Sequence, residues 1–257
     1  MASNLSSIGF DFADASEFQS AMLRLATDAV ERVGCTEGDY SIWRSRTGAE
    51  IWFHLPSFGT EDDARDIAGL TPFFEGSSEV MLEIAERLKR PDDNAFEGAF
   101  RAAVRADDGK LKSLSVVVDA VDFATHAERP LPFRSLARLT VFGQAVSVFA
   151  DEAAYLSARR REDGPALGAE GFLPVGQFAN IEDEAAPLTS DVLFTGRIVE
   201  NSPLVNEASG KAFHWLVVAT QGVHLDVVVD PAAVRGKLLE GGVVEVGGML
   251  FGRLLEG

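Results

Sequence analysis

The sequence predicts an α+β protein, β-rich and mainly antiparallel, with a small closed β unit at its C-terminal end. Three observations carry this. Strand signals recur between 80 and 149: alternation at 80–84 and 96–105, a valine-rich run at 114–123 and a β-rich run at 136–149. Helical spacing behind an N-cap residue occurs after Asp14 and again after Asp151. Gly, Pro and acidic residues crowd the stretch 164–190, which reads as an extended linker between an α+β body at 1–163 and a barrel-like unit at 191–257.

Taken in order, Ile8 to Phe12 alternate like a strand. Asp14 with Glu17 forms a capping box. Phe18, Met22, Leu25, Ala29 and Val33 then recur at helical spacing, so the helix is expected to run to a stop at Gly34. Segments 39–46 and 50–55 flank Thr47-Gly48 as a hairpin loaded with Tyr40, Trp43, Trp52 and Phe53. The stretch 56–76 reads as loop. Residues 80–90 combine strand alternation with helix-forming composition, and we read them as strand because 96–105, 114–123 and 136–149 follow as strands. Asp107-Asp108-Gly109 is a turn, and Gly143 bends or bulges the last of these strands. Acids at the start and arginines at the end of 151–161 suit a short helix. Within the linker, Phe172, Leu173 and Phe178 are expected to dock on the body.

Beyond 190 come a strand at 192–200, a hairpin at 213–220 and 223–230 turning on Gln221-Gly222, a short helical piece after Pro231, and a glycine-interrupted strand or strand pair at 243–254. This order resembles an OB-like small barrel, with a fifth strand expected from a split at Gly247-Gly248. Phe96-Glu97-Gly98, Asp151 to Tyr155, Phe194-Thr195-Gly196 and Asp226 to Pro231 resemble an uncharacterised bacterial family. That resemblance implies a layout and carries no activity, cofactor or site residue with it.

A chain of 257 residues buries roughly 70–75% of its unfolded surface, enough to form a core without metal or disulfide. The net charge of −17 repels phosphate backbones and anionic bilayers, so nucleic acid is a disfavoured partner. Residues 190–257 hold five basic and eight acidic side chains, which disfavours an oligonucleotide groove there too. No apolar run is long enough to cross a membrane. The N-terminal residues lack the basic and apolar regions of a signal peptide, and the single Cys35 makes no internal disulfide, so a cytoplasmic protein is expected. Eighteen arginines against five lysines, with abundant alanine, match GC-rich bacterial composition.

Phosphate-loop, dinucleotide, nucleophile-elbow and zinc signatures do not occur, so no catalytic residue, metal or cofactor is assigned. Cys35, following a helix C-terminus, reads as structural. His54 reads as a structural histidine and His126 as solvated. Asp119 and Asp122, three apart, face opposite ways. The hairpin turn pairs Ala219 with His224 and His214 with Val229, placing the two histidines on opposite faces. One constellation remains as a candidate ligand-binding set: Trp215, His224 and Asp226 on one face. The same face, with Phe213 and Val217, is otherwise expected to line the barrel interior. The sequence thus favours a non-enzymatic binding or interaction protein whose partner is another protein or a small molecule. An enzyme with a cleft between body and barrel, and an oligonucleotide-binding module, are the alternatives.

Overall fold

The structure is a computed structural model that describes residues 3–57, 67–105, 114–160, 167–178 and 186–255. At the N-terminus a strand over 8–12 does not form. Ser6–Ile8 make a 3-10 turn closed by Gly9 at φ +81°, a backbone angle suited to glycine. Asn206 and Ser209 donate to the carbonyls of Ile8 and Gly9, occupying acceptors that a sheet neighbour would need. Helix α1, Ala15–Asp28, starts as expected: Asp14 Oδ1 accepts Glu17 N–H at 2.9 Å, and Glu17 reaches back to Ala13 N–H at 2.8 Å. It ends well before Gly34, because Glu31–Cys35 (β1) pairs with Gly38–Arg44 (β2). Val33 fits either period, and the ladder wins over helix propensity.

Ala49–Pro56 (β3) completes the expected hairpin with β2. Gly69–Phe74 (β4), read as loop, is a strand, giving an antiparallel sheet in the order β1-β2-β3-β4. Pro72 is tolerated there because β4 is an edge, where a missing N–H costs no ladder bond.

The remaining strands form one ten-stranded sheet. They are β5 Glu79–Leu88, β6 Ala99–Arg105, β7 Leu114–Ala120, β8 Phe133–Phe149, β9 Phe172–Leu173, β10 Asp191–Val205, β11 Ala212–Thr220, β12 Val223–Val229, β13 Val234–Arg235 and β14 Val243–Leu255. Helix α2, Glu152–Arg159, lies between β8 and β9, capped by Asp151. Segment 80–90 is strand as far as Leu88, and Lys89 and Arg90 begin the connection to β6. The turn expected at 107–109 and the end of the expected helix at 161 lie outside the described residues, as do parts of the linker. Phe172 docks by stacking on Phe194 at 5.9 Å, whereas Leu173 and Phe178 remain exposed.

The ladders close into two circuits. β5, β6 and β7 pair in sequence, β7 runs parallel to β14, β14 pairs with β8, and β8 returns to β5. β10, β11 and β12 pair in sequence, β12 runs parallel to β8, β8 pairs with β14, and β14 returns to β10. Each half therefore reads strand, strand, strand, 3-10 turn (Phe123–His126 or Pro231–Ala233), long strand, and each long strand serves both circuits. Short echoes mark the repeat: Ser78-Glu79-Val80 against Ser190-Asp191-Val192, Ala99-Phe100 against Ala212-Phe213, and Phe142-Gly143 against Phe251-Gly252.

The segment 191–257 thus does not close a circuit by itself, and its fifth strand is β8 from the first half. The split expected at Gly247-Gly248 is absent, since β14 runs unbroken. The irregularity lies opposite: Gly247 faces Ala145 and Gly248 faces Gly143, so Gln144 is the extra residue of a bulge beside the glycine where a bend was expected.

Two cores follow. One fills the circuits with residues such as Leu82, Phe100, Val118, Phe194, Leu216, Val227 and Leu250. The other lies between the two sheets and under α1, with Phe10, Leu25, Tyr40, Trp52, Phe74 and Phe213. Trp215 packs against this second core, 6.2 Å from Phe74. The face holding Phe213 and Trp215 is therefore the outside of the circuit, covered by the four-stranded sheet, and Leu216 and Val218 point inward instead.

Candidate functional site

The expected hairpin register is present: Ala219 faces His224 and His214 faces Val229, across a turn in which Gln221 and Gly222 both take positive φ. Of the three candidates on its face, His224 stands exposed, while Trp215 and Asp226 bond each other. Trp215 Nε1 donates to Asp226 Oδ1 at 2.6 Å, and the fully buried carboxylate also accepts the N–H groups of Ser77 at 3.2 Å and Ser78 at 2.8 Å. Burial raises the Asp226 pKa, and these donors act against the rise. A Cβ at Gly76 would sit 2.1 Å from the Asp226 carboxyl carbon, so the turn before β5 folds directly onto this acid. Asp226 is an anchor between the halves of the sheet, with three acceptor sites taken.

The other half repeats the device. Ser190, just before β10, donates its hydroxyl to Asp119 Oδ2 at 2.6 Å, where Ser78, just before β5, donates its backbone N–H to Asp226. Asp119 differs in what lies on its other side. Arg90 Nη2 stands 2.7 Å from Asp119 Oδ1, and the pair lines a pocket of about 220 Å³ between β4, the β5–β6 connection and β7.

The connection is built to hold its shape. Lys89 Nζ donates to the carbonyls of Asn94 and Glu97, both at 2.5 Å. Asp93 accepts Arg90 N–H at 2.7 Å, Asn94 Oδ1 accepts Phe96 N–H at 2.9 Å, and Glu97 accepts Asn94 N–H at 3.1 Å. These are the local bonds by which Asx and acidic residues fold a turn. Arg90 Nε donates to Leu188 O at 3.1 Å, tying the end of the linker to the same place. Gly98 is forced by the Phe123 ring, which a Cβ would meet at 2.6 Å.

His54 lies behind this connection, fully buried and stacked on Phe96 at 5.2 Å. Its Nδ1 is 3.1 Å from Asn94 Nδ2 and its Nε2 is 3.2 Å from Thr71 Oγ1. Burial, with Lys89 adding to it, lowers its pKa to about 4. The ring is therefore neutral at pH 7, with Nδ1 accepting from Asn94 and Nε2 donating to Thr71.

Asp93, Glu97 and Asp119 place three carboxylates around the pocket against one guanidinium. Burial raises the Asp119 pKa, with Arg90 and Ser190 pulling it down. The outcome is a small polar hollow with a negative balance, in a protein of net charge −17.

Other residues singled out from the sequence do not converge here. His126 is buried rather than solvated, with Nε2 3.3 Å from Asp122 Oδ2, and Asp122 also accepts Leu254 N–H at 2.9 Å. Asp119 and Asp122 do point to different partners. Arg90, Asp93 and Glu97 escaped the sequence reading. Their signal is the polar run Lys89-Arg90-Pro91-Asp92-Asp93-Asn94 directly after a strand, which has the composition of an ordinary turn. Among the described residues no group of three or more His, Cys, Asp or Glu side chains is placed to hold a metal ion, and no helix is long and apolar enough to cross a membrane. No protein-family model, curated protein or solved structure matches this chain.

Proposed function

We propose that this is a soluble, cytoplasmic, bacterial binding protein without catalytic activity, whose pocket at Arg90 and Asp119 receives a cationic nitrogen group. The group is the head of a small amine or guanidine, or of a basic side chain on a partner protein. The observation that carries this is the set of three carboxylates, Asp93, Glu97 and Asp119, around a hollow of about 220 Å³ with Arg90 as its single cation. In this reading Arg90 neutralises Asp119, while Asp93 and Glu97 supply acceptors on a loop already ordered by Lys89. The two circuits of ladders are OB-like barrels sharing β8 and β14, and they serve as the rigid frame. The surplus of negative charge disfavours an oligonucleotide ligand.

The test is calorimetric titration of the full chain with agmatine, putrescine and Nα-acetyl-lysine amide, each against an uncharged analogue. Amines are expected to bind, to weaken as salt rises, and to lose about tenfold in affinity in Glu97→Gln and in Asp93→Asn. Equal binding of the uncharged analogues, or binding unchanged in both variants, would overturn the reading.

A further inference from the structure

The buried His54 ring touches two of the elements that frame the Arg90–Asp119 pocket. On one side His54 Nε2 bonds Thr71 of β4, whose side chain belongs to the pocket lining. On the other side Nδ1 accepts from Asn94 Nδ2 in the β5–β6 connection at 3.1 Å. Glu97, also in the lining, joins the same cluster: its Oε2 accepts Asn94 N–H at 3.1 Å, and its Oε1 stands 3.8 Å from His54 Nδ1. A Cβ at Gly69 would meet Asn94 Nδ2 at 2.5 Å, His54 Nδ1 at 3.0 Å and Glu97 Oε1 at 3.4 Å. The three atoms therefore converge on one spot, which a residue with a side chain would fill.

This cluster suits a neutral ring only. Nδ1 meets Asn94 through its lone pair, and a proton there would set two N–H donors 3.1 Å apart. Glu97 Oε1 is the carboxylate oxygen within ion-pair reach, and it must close in by roughly 1 Å to accept that proton's hydrogen bond. The other groups around the ring offer no alternative. Tyr40 from β2 meets it edge-on at 5.6 Å with its hydroxyl engaged by Phe96 O and Ala124 N–H, Phe96 stacks on it, and Lys89 opposes a second positive charge.

Building on the amine reading of this pocket, we propose that His54 is its positioning residue: neutral, the ring leaves the Glu97 carboxylate facing the hollow, and protonated, it draws that carboxylate away and releases a bound cation. The coupling is reciprocal, so an amine that engages Glu97 disfavours the proton on His54.

The test follows the full chain by NMR from pH 7.5 to 3, first without ligand. The ring 15N resonances of His54 are expected to show the Nε2–H tautomer at pH 7 and protonation near pH 4. The amides of Asn94, Phe96 and Glu97 are expected to move with the midpoint of the ring. That component should be missing from His54→Gln, which keeps every carboxylate titration. The wild-type titration needs no variant, so a misfolded His54→Gln leaves the test intact. Saturating agmatine is expected to lower the His54 midpoint by at least about 0.5 pH unit, a coupling of about threefold. Amides of 94–97 that ignore the titration of the ring, a ring that stays neutral until the chain unfolds, or a midpoint unmoved by bound agmatine would overturn the proposal. Absence of agmatine binding at pH 7 would overturn the amine reading alone, and the ligand-free titration would still decide whether His54 positions Glu97.

Discussion

Trp215 Nε1 and Asp226 Oδ1 are joined by a 2.6 Å hydrogen bond that sits where the outer face of one strand circuit meets the turn leading into the other. The acid is paired entirely with neutral donors, so its stabilising role depends on geometry rather than on a counter-charge. Asp226→Ala leaves the indole and two backbone N–H groups without an acceptor and is expected to cost about 3–5 kcal/mol. Trp215→Phe removes one donor and should cost about 1–2 kcal/mol. Urea unfolding at pH 7 measures both, and equal midpoints for Asp226→Ala and wild type would show that the turn is held by other contacts.

Gly76→Ala provides an independent check of the same anchor. Its Cβ would lie 2.1 Å from the Asp226 carboxyl carbon, so turn and acid cannot both keep their places. Destabilisation of at least about 2 kcal/mol is expected, and much less than an additive loss when combined with Asp226→Ala, since both changes break one contact.

His54 makes stability depend on pH in a definite direction. Its folded pKa of about 4 lies below the unfolded value near 6.5, so the unfolded chain binds the proton first. Its neutral form is accommodated at pH 7, and stability falls as pH drops from about 6.5 toward 4, by up to roughly 3 kcal/mol from this group. Asp119, Glu50 and Asp226 have raised pKa values and act in the opposite sense. The difference between wild type and His54→Gln isolates the histidine: it should shrink steadily with acidification. A difference that stays constant from pH 7 to 4 would mean that the ring is already protonated or is not buried.

Arg90 and Ser190 both serve Asp119, with unequal consequences. Arg90→Met strands a buried carboxylate without its cation and should cost about 3–5 kcal/mol, while Ser190→Ala should cost about 1 kcal/mol. Adding Asp119→Asn to Arg90→Met is expected to recover part of the loss. Chemical denaturation of wild type, Arg90→Met, Asp119→Asn and the double variant forms the cycle, and strict additivity would contradict a direct pair.

A fragment spanning 186–255 carries β10, β11, β12 and β14 but not β8, so its circuit is open. It should show little amide dispersion by NMR on its own and gain structure when a 133–149 peptide is added. Cooperative folding of the fragment alone would show that β8 is dispensable.

Much of the local structure was legible in the chain. Gln221-Gly222 announced its turn and register, Asp14 and Asp151 announced their helices, alternation announced β6, and β-rich composition announced β7 and β8. The errors arose where one pattern serves two structures. Val33 lies at helical spacing from Met22, Leu25 and Ala29, yet its β-branch suits the strand it forms. Pro72 argued for loop, and only its edge position makes it compatible with β4. The repeat was hidden because its echoes are two or three residues long and separated by connections of unequal length. The acidic pocket was hidden because Asp93 and Glu97 are spelled like any turn, and only the fold brings Asp119 beside them.

The shared long strands also set the order in which this protein can be built. The parallel ladder that closes the first circuit joins Asp119 to Phe251, so that circuit stays open until residue 251 has been synthesised. Throughout that interval Val116, Val118 and the inward face of β8 lack their final neighbour, and the two halves must then close together. Contacts so distant in sequence make for slow folding and a long-lived apolar surface. Closure of the first circuit therefore waits on β14, and among the described residues no earlier strand covers the apolar edge of β7 in its place.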